Sequence, residues 1–491
     1  MDLILFAAIA LAAPSLGLPF FQLSKTRGML PGYLLVVALV AAVLLVGLNT
    51  VSPQPAGDFG DLLSSDSLGG LFAIVTLSVT LIVAVISLPT MVRRANGPLY
   101  CALLGFSALG MLFLSYSADL LMLFVAWELM SLPTYALAGF DKQREESNEA
   151  SAKYAVLGAL SSAIILYAIS LSYGLSGSTL IVNVVRAMGS QSSNPITLVA
   201  VLLFIVGFGF KMSIVPFHMW VPDTYEGAPI TITTLFAAAT KKAGFVAAIR
   251  VVLAASTLYV VTQSPIFTVA NILAVIALAT MTLGNVAALT QKSMTRMLAY
   301  SSIAQAGYIL IGFVIFWYGQ GAPSFSQEAT LGMTGALFQI INHSIMASAA
   351  FAAVALVLTA LKGADVSAFR GLARRAPVTA FTLAVSMLAL AGVPPLNGFW
   401  SKLLLFLSVV NGPYAWLAVA GVLNSVFSLG YYLWVVKRMY LEEPESTERI
   451  GEPLVYVIVF AVLVALIIGL GVFPQIGIAF SQGAVPSIFP H

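Results

Sequence analysis

The chain has 491 residues, of which 60% are hydrophobic and only 8% charged, with a formal net charge of +3. Soluble domains carry roughly a quarter charged residues, so this composition excludes a water-facing globular enzyme and defines an all-α polytopic membrane protein. A single cysteine, Cys101, cannot form an internal disulfide, an iron–sulfur cluster or a structural zinc site. No glycine-rich nucleotide fingerprint is present either, so the expected driving force is a gradient or a partner protein.

The first apolar run, Leu3 to Leu23, has no basic residue ahead of it and is followed by Lys25 and Arg27. That order marks a retained helix and not a cleaved leader. Polar breaks then divide the chain into 14 predicted helices, at 2–23, 29–50, 70–92, 98–116, 119–140, 151–174, 196–220, 228–255, 266–290, 295–317, 330–361, 377–408, 413–437 and 452–474. Nearly all reach the roughly 20 residues that a bilayer requires. Alternate loops concentrate the basic residues: Lys25 and Arg27; Arg93 and Arg94; Lys142, Arg144 and Lys153; Lys292 and Arg296; Lys362, Arg370, Arg374 and Arg375; Lys437, Arg438 and Arg449. The opposite loops hold little beyond Arg186, with Arg250 near a helix end. Positive charge marks the cytoplasmic side, which places both termini outside and requires an even number of helices. The acidic stretches Glu145, Glu146, Glu149 and Glu442, Glu443, Glu445, Glu448 read as solvated cytoplasmic loops.

Five charges fall well inside predicted spans, away from their ends: Glu128 in helix five, Lys211 in helix seven, Lys241 and Lys242 in helix eight, and Lys402 in helix twelve. Each costs roughly 2.5–3.5 kcal/mol at the bilayer centre even on a lenient scale. They therefore face a polar interior, and such residues mark ion pathways. The competing explanation is a buried salt bridge that fixes packing, but buried pairs stabilise poorly and one acid cannot pair with three lysine sites. Lys241 and Lys242 point about 100° apart on a helix, so only one of them is expected to face the pathway. Lysine can give up a proton where arginine cannot, and no arginine lies at these depths; a proton relay fits that choice better than an anion site.

Helices seven and twelve carry internal prolines, at Pro216 and at Pro394-Pro395. A proline frees a backbone carbonyl, which a membrane tolerates only where protein or water repairs it. Broken helices in corresponding halves point to inverted repeats around an ion path. Helices four to eight (98–255) and nine to thirteen (266–440) are thus expected to be two inverted five-helix repeats, preceded by helices one to three (1–97) and followed by helix fourteen (441–491). His218 and His343 are candidate relay extensions, since histidine titrates near neutrality, or histidines merely hydrogen-bonded near a helix break. Tyr300, Ser301, Ser302 and Gln305 read either as water-holding residues or as helix-pairing ones.

Several of these segments carry a family likeness. Phe210-Lys211-Met212-Ser213-Ile214-Val215-Pro216-Phe217-His218-Met219-Trp220-Val221-Pro222-Asp223-Thr224-Tyr225-Glu226-Gly227-Ala228-Pro229 resembles the signature of the antiporter-like subunits of respiratory complex I. Trp127-Glu128-Leu129-Met130-Ser131-Leu132-Pro133, Leu298 to Tyr308 and the helix-twelve run are similar to the same family, and the likeness spans about residues 100 to 440. Of the three types, lettered L, M and N, the Tyr225–Pro229 segment, Lys153-Tyr154 and the ending after helix fourteen look like N. Asn342-His343 resembles the L and M pattern, but the lysine that follows there is absent here, which suits N.

The resemblance implies a half-channel scheme. Glu128 pairs with Lys211, Lys241 rather than Lys242 holds the central proton, and Lys402 passes it toward the outer face. It implies a multi-pass protein of a prokaryotic plasma membrane, partnered by paralogous L and M subunits and smaller membrane subunits, with no role for nucleic acid. Flavin, iron–sulfur clusters and a quinone-like acceptor would sit in those partners and no cofactor in this chain. A nicotinamide, the deazaflavin coenzyme of methanogens and ferredoxin remain open as donors, as do ubiquinone, menaquinone and methanophenazine as acceptors. A subunit of a multi-subunit sodium/proton antiporter, more distantly related, and one of a ferredoxin-linked membrane hydrogenase are the alternatives.

Overall fold

A computed structural model describes residues 3–22, 29–51, 60–191, 194–256, 269–321, 324, 326–361, 365–444, 446 and 448–488. Lys25, Arg27, Lys362 and Glu445 lie outside the described residues. The chain opens with α1 (Leu3–Gly17), α2 (Leu30–Val51) and α3 (Ser67–Ser87). A first group follows: α4 (Gly97–Tyr116), α5 (Leu120–Ala138), α6 (Glu145–Ser176), the short α7 (Ile181–Ser190), α8 (Pro195–Met212) and α9 (Trp220–Gly227). Residues 230–256 form one helical rod, α10, in which π-type segments at Phe236–Thr240 and Ile249–Leu253 alternate with α-helix. The second group comprises α11 (Val269–Leu289), α12 (Met294–Gly321), α13 (Ser326–Leu361), α14 (Pro377–Ala391), α15 (Asn397–Leu407) and α16 (Ala415–Leu441). The fold closes with α17 (Leu454–Val472) and α18 (Pro474–Ala484).

Twelve helices among the described residues are long and apolar enough to cross a membrane. Residues 230–256 and 377–407, counted above as the other two spans, are interrupted: the first by its π-type segments, the second by a proline break. Other boundaries also differ from expectation. The acidic stretch Glu145, Glu146, Glu149 is not a loop but the first turns of α6, where carboxylates favour the positive end of the helix dipole and Glu149 pairs with Lys153 at 2.7 Å. The short α7 and α18 went unread because neither is long enough to register as a span.

α10 sits at the centre. Every residue from 231 to 256 is buried, so all faces of this rod meet protein, chiefly α3, α4, α8 and α13. In contrast α1, α2, α16 and α17 turn leucines and valines outward, including Val37, Leu44, Val419 and Val462, as lipid contact demands. Cys101 is buried on α4.

Both broken helices repair their freed carbonyls with side chains. After α8 the chain turns through Ser213, at φ 60°, and the Trp220 indole donates to the Phe210 carbonyl at 2.8 Å. After α14 it turns through Gly392, at φ 90°, and the Lys402 ammonium donates to the Leu390 and Ala391 carbonyls at 2.9 and 3.1 Å. A side chain on Gly392 would meet that lysine, whose Cδ lies 3.2 Å from the added Cβ. The second break thus positions Lys402 directly, whereas the first places Lys211 one residue before the end of α8.

At the far end of α10, Arg250 pairs with Asp66 through two bonds of 3.0 and 2.9 Å, and also donates to the Ser115 carbonyl. Asp66 simultaneously accepts from Gly69 N–H at 2.6 Å as the cap of α3. Three helices are thereby tied at one buried point. Removing one member of a fully buried pair costs about 3–5 kcal/mol, and less is expected here, where Asp66 is only partly buried. Arg250→Ala is therefore expected to lower the thermal stability of the detergent-solubilised complex, and Arg250→Met with Asp66→Leu to recover part of it. A single variant as stable as the parent would show that the clamp contributes little.

Candidate functional site

The buried lysines, with half-buried Glu128, fall into three groups along one polar axis. In the first, Glu128, Ser131 and Tyr135 stand at i, i+3 and i+7 on one face of α5. Glu128 accepts a short hydrogen bond from the Ser162 hydroxyl of α6. Lys211 is buried and donates to the Tyr154 hydroxyl at 2.7 Å and to Ser131 at 3.1 Å. Its ammonium also lies over the Tyr154 and Tyr135 rings, at 4.7 and 5.4 Å, where the ring faces attract a cation.

The expected direct pairing of Glu128 with Lys211 is not what the side chains do. No such ion pair within 4.0 Å occurs among the described residues; Ser131, one turn along α5, takes the lysine, and Ser162 takes the carboxylate. The two charges are neighbours on one face, separated by hydroxyls. Glycines make the cluster possible. A Cβ at Gly158 would stand 2.1 Å from the Tyr135 hydroxyl, and one at Gly244 would stand 3.0 Å from Met212 N and 3.1 Å from Lys211 Cβ. α6 and α10 can therefore approach the lysine closely.

The second group is on α10. Lys241 follows the π-type segment directly and donates to the Ser302 carbonyl at 2.6 Å and to its hydroxyl at 3.2 Å. Lys242 lies 2.6 Å from His343 Nδ1 on α13. Both lysines are almost wholly buried, at 1% and 0% exposure. A rod enclosed on all sides has no lipid face, and α12 and α13 each receive one ammonium.

The third group surrounds Lys402, whose ammonium also lies 4.6 Å from the Tyr308 ring centre. The Leu390 carbonyl it holds accepts a second bond, from Gln305 at 3.0 Å. Gln305 in turn accepts from Gln339 at 2.7 Å, Gln339 from Ser401, and Ser401 from Asn342 at 3.1 Å. Asn342 and Asn397 exchange a further bond of 3.0 Å. This chain runs from Lys402 back to the residue beside His343.

His218 lies in the linker between α8 and α9, half-buried, and its Nδ1 has no hydrogen-bond partner among the described residues. Of the other polar candidates on α12, Ser301 bonds to Tyr432, and Tyr300 is half-buried. Ser131, Ser162, Gln339 and Ser401 carry no functional signal of their own in the sequence, and Tyr154 is marked there only by its likeness to the N type; hydroxyls and amides are common between packed helices, and the spacing of Ser131 from Glu128 is the one further signal.

A cavity of about 680 Å³ opens near the axis, lined by Arg94, Asp141, Arg144, Glu226, Thr231 and Tyr225 among others. The Tyr225 hydroxyl is buried beside Ser302 without a hydrogen bond of ordinary geometry, so one tyrosine separates this cavity from the residue that holds Lys241. Next to it, Asp223 and Glu226 of α9 bind Arg296 of α12 at 2.8 and 3.0 Å, and Lys153 of α6 binds Asp223 at 2.5 Å. Among the described residues no cluster of histidine, cysteine or acidic side chains is arranged to hold a metal.

A helical membrane protein with two proline-broken helices and buried, hydrogen-bonded lysines along one axis belongs to the class of antiporter-like ion-translocating subunits. Residues 117–428 match the model of the NADH:quinone oxidoreductase/Mrp antiporter transmembrane family, and the chain belongs to that family. It is 38% identical to the F(420)H(2) dehydrogenase subunit N of Methanosarcina mazei, over 94% of this chain and 93% of that one. It is 37% identical to the NADH-quinone oxidoreductase subunit N of Trichlorobacter lovleyi, over 95% and 93%. Among solved structures, it is similar to a chain of the archaeal membrane-bound sulfane sulfur reductase (TM-score 0.86, 28% identity, 99% and 98% covered). A chain of respiratory complex I from Thermus thermophilus is also similar (TM-score 0.80, 29% identity, 97% and 100% covered). A chain of the Mrp complex from Dietzia sp. shares the fold, with a TM-score of 0.85 at 22% identity over 100% and 98%.

Proposed function

We propose that this chain is the N-type proton-translocating subunit of a complex I-like redox pump. The observation that carries this reading is the enclosed set Lys211, Lys241 and Lys402 beside half-buried Glu128, each lysine held by hydroxyls or carbonyls and none neutralised by a direct acid partner among the described residues. Buried cations without counter-charges are costly, and a fold that retains them uses them. The relatives named subunit N support the same assignment.

In this reading a proton enters near Glu128 and Lys211, or from the cavity past Tyr225, reaches Lys241, and leaves through Lys402. His218, beside the α8 break, is a further entry-side group. The two groups α4–α10 and α11–α16 act as inverted five-helix repeats, each with one broken helix, within a 14-span protein whose termini lie outside a prokaryotic plasma membrane. Paralogous L and M subunits and smaller membrane subunits flank it. Electrons pass through flavin, iron–sulfur clusters and a quinone-like acceptor in partner subunits, and the work they release reaches this chain mechanically or electrostatically.

The test has two parts. Purification of the tagged chain from native membranes in mild detergent, followed by mass spectrometry, is expected to recover iron–sulfur and quinone-site subunits. The recovered complex in liposomes is then expected to couple electron transfer to proton movement, and Glu128→Gln to cut that coupling about tenfold or more. Recovery of small membrane subunits alone, with sodium-dependent transport, would overturn the redox reading.

A further inference from the structure

We propose that Asp223 is a positioning residue: held by Lys153 of α6 and Arg296 of α12, it fixes α9 so that this one helix sets the partners of both Lys211 and Lys241. This rests on the translocation reading above and deepens it.

α9 joins a charged surface to a buried aromatic cluster. Its outward residues Asp223 and Glu226 stand at i and i+3, on one face. One terminal nitrogen of Arg296 donates to both, at 2.8 and 3.0 Å. Asp223 also accepts from Lys153 at 2.5 Å, and Lys153 holds Glu149 at 2.7 Å. The inward residues Trp220 and Tyr225 are enclosed. The Trp220 indole holds the carbonyl of Phe210, the residue before Lys211, and its ring stacks on Tyr154 at 4.5 Å. The Tyr154 hydroxyl takes the Lys211 ammonium. Tyr225 lies beside Ser302, whose carbonyl takes the Lys241 ammonium.

The outer and inner contacts run through the same two neighbours. Lys153 and Tyr154 are consecutive on α6, and Arg296 stands in the opening turn of α12, the helix that carries Ser302. The last turn of α9 has no slack against α6, since a Cβ at Gly227 would stand 2.2 Å from the Glu146 carbonyl oxygen. A shift of α9 therefore moves Trp220 and Tyr225 together, and a misplacement of about 1 Å costs on the order of a hundredfold in a positioned reaction. Exposed ion pairs contribute little to stability, and Lys153, Asp223, Arg296 and Glu226 are all between 28% and 43% exposed. The cluster is thus expected to act on geometry and not on assembly. The alternative is an ordinary solvated ion cluster, whose loss changes only surface charge.

The experiment uses the whole complex in liposomes and reads proton movement per electron pair, with assembly checked on native gels. Asp223→Asn and Arg296→Gln are each expected to assemble and to lower coupling about threefold or more. The double variant is expected to be no worse than either single one, because both remove the same tie. Arg296→Lys and Lys153→Arg are expected to keep the parent's coupling: a single ammonium can serve both carboxylates, and arginine preserves the charge of Lys153 although it releases no proton. Loss of coupling in Lys153→Arg would make Lys153 a proton carrier and overturn the positioning role. Parental coupling in Asp223→Asn or Arg296→Gln, with Lys211→Met impaired, would overturn it as well, and so would failure of both variants to assemble. Parental coupling in Lys211→Met would instead overturn the translocation reading beneath it.

Discussion

Lys211→Met in the assembled complex is expected to reduce proton movement to a tenth of the parent's or less, since a positioned proton-transfer group typically contributes about 10²–10⁴-fold. The lysine is enclosed, and its bonds to Tyr154 and Ser131 leave it one turn from the only acid on that face of α5. Methionine fills the same space without a charge, so packing is disturbed little while the proton site vanishes. Lys211→Arg separates the two remaining explanations: arginine restores charge and hydrogen bonding but remains protonated. Failure of arginine to restore coupling identifies proton release as the requirement. Full coupling in Lys211→Met would remove this residue from the path.

The second large effect is expected far from any charge. Gly110→Val places a Cβ 2.3 Å from Met130 N and 2.8 Å from the Leu129 carbonyl carbon, both backbone atoms of α5. A flexible side chain can move aside, but a helix backbone moves only as a unit. Overpacking ordinarily costs about 1–3 kcal/mol and more where nothing can yield, so α5 would be displaced as a whole, and with it Glu128, one residue from the contact. The expected result is a several-fold fall in membrane-inserted protein, as read by immunoblot of assembled complex. Normal accumulation and normal coupling would mean that α4 and α5 pack with more slack than the contact allows.

The elements legible in the sequence were those set by hydropathy and by rare residues in the wrong place. α2, α4 and α5 begin and end within a residue or two of their predicted limits, because apolar length and a polar break decide them. The breaks after α8 and α14 were visible as prolines. The π-type segments of α10 were not, since Phe236–Thr240 is an ordinary apolar stretch whose extra turn residue is imposed by packing. The early start of α6 was hidden because charged residues form a good exposed helix as readily as a loop.

The candidate site shows the same division. Glu128 and the lysines announced themselves by charge. Their partners did not: serine, tyrosine and glutamine occur at many helix contacts, and only the fold determines that Tyr154 meets Lys211 or that Gln339 meets Gln305. The Glu128–Lys211 pairing that the resemblance implied is not a direct contact here, because Ser131 takes the lysine and Ser162 the carboxylate. That Lys242 is as enclosed as Lys241 was not legible, because only the fold shows that α10 has no outward face.

The solitary thiol has a practical consequence. Cys101 is 1% exposed on α4, so a maleimide dye applied to the folded chain meets almost no native background. Cysteines introduced at Glu146 and Glu443, both on the polar margin of the fold, would accept donor and acceptor fluorophores without first stripping the protein of its own sulfhydryl. Motion between its two halves during turnover becomes an optical measurement on an otherwise unaltered subunit.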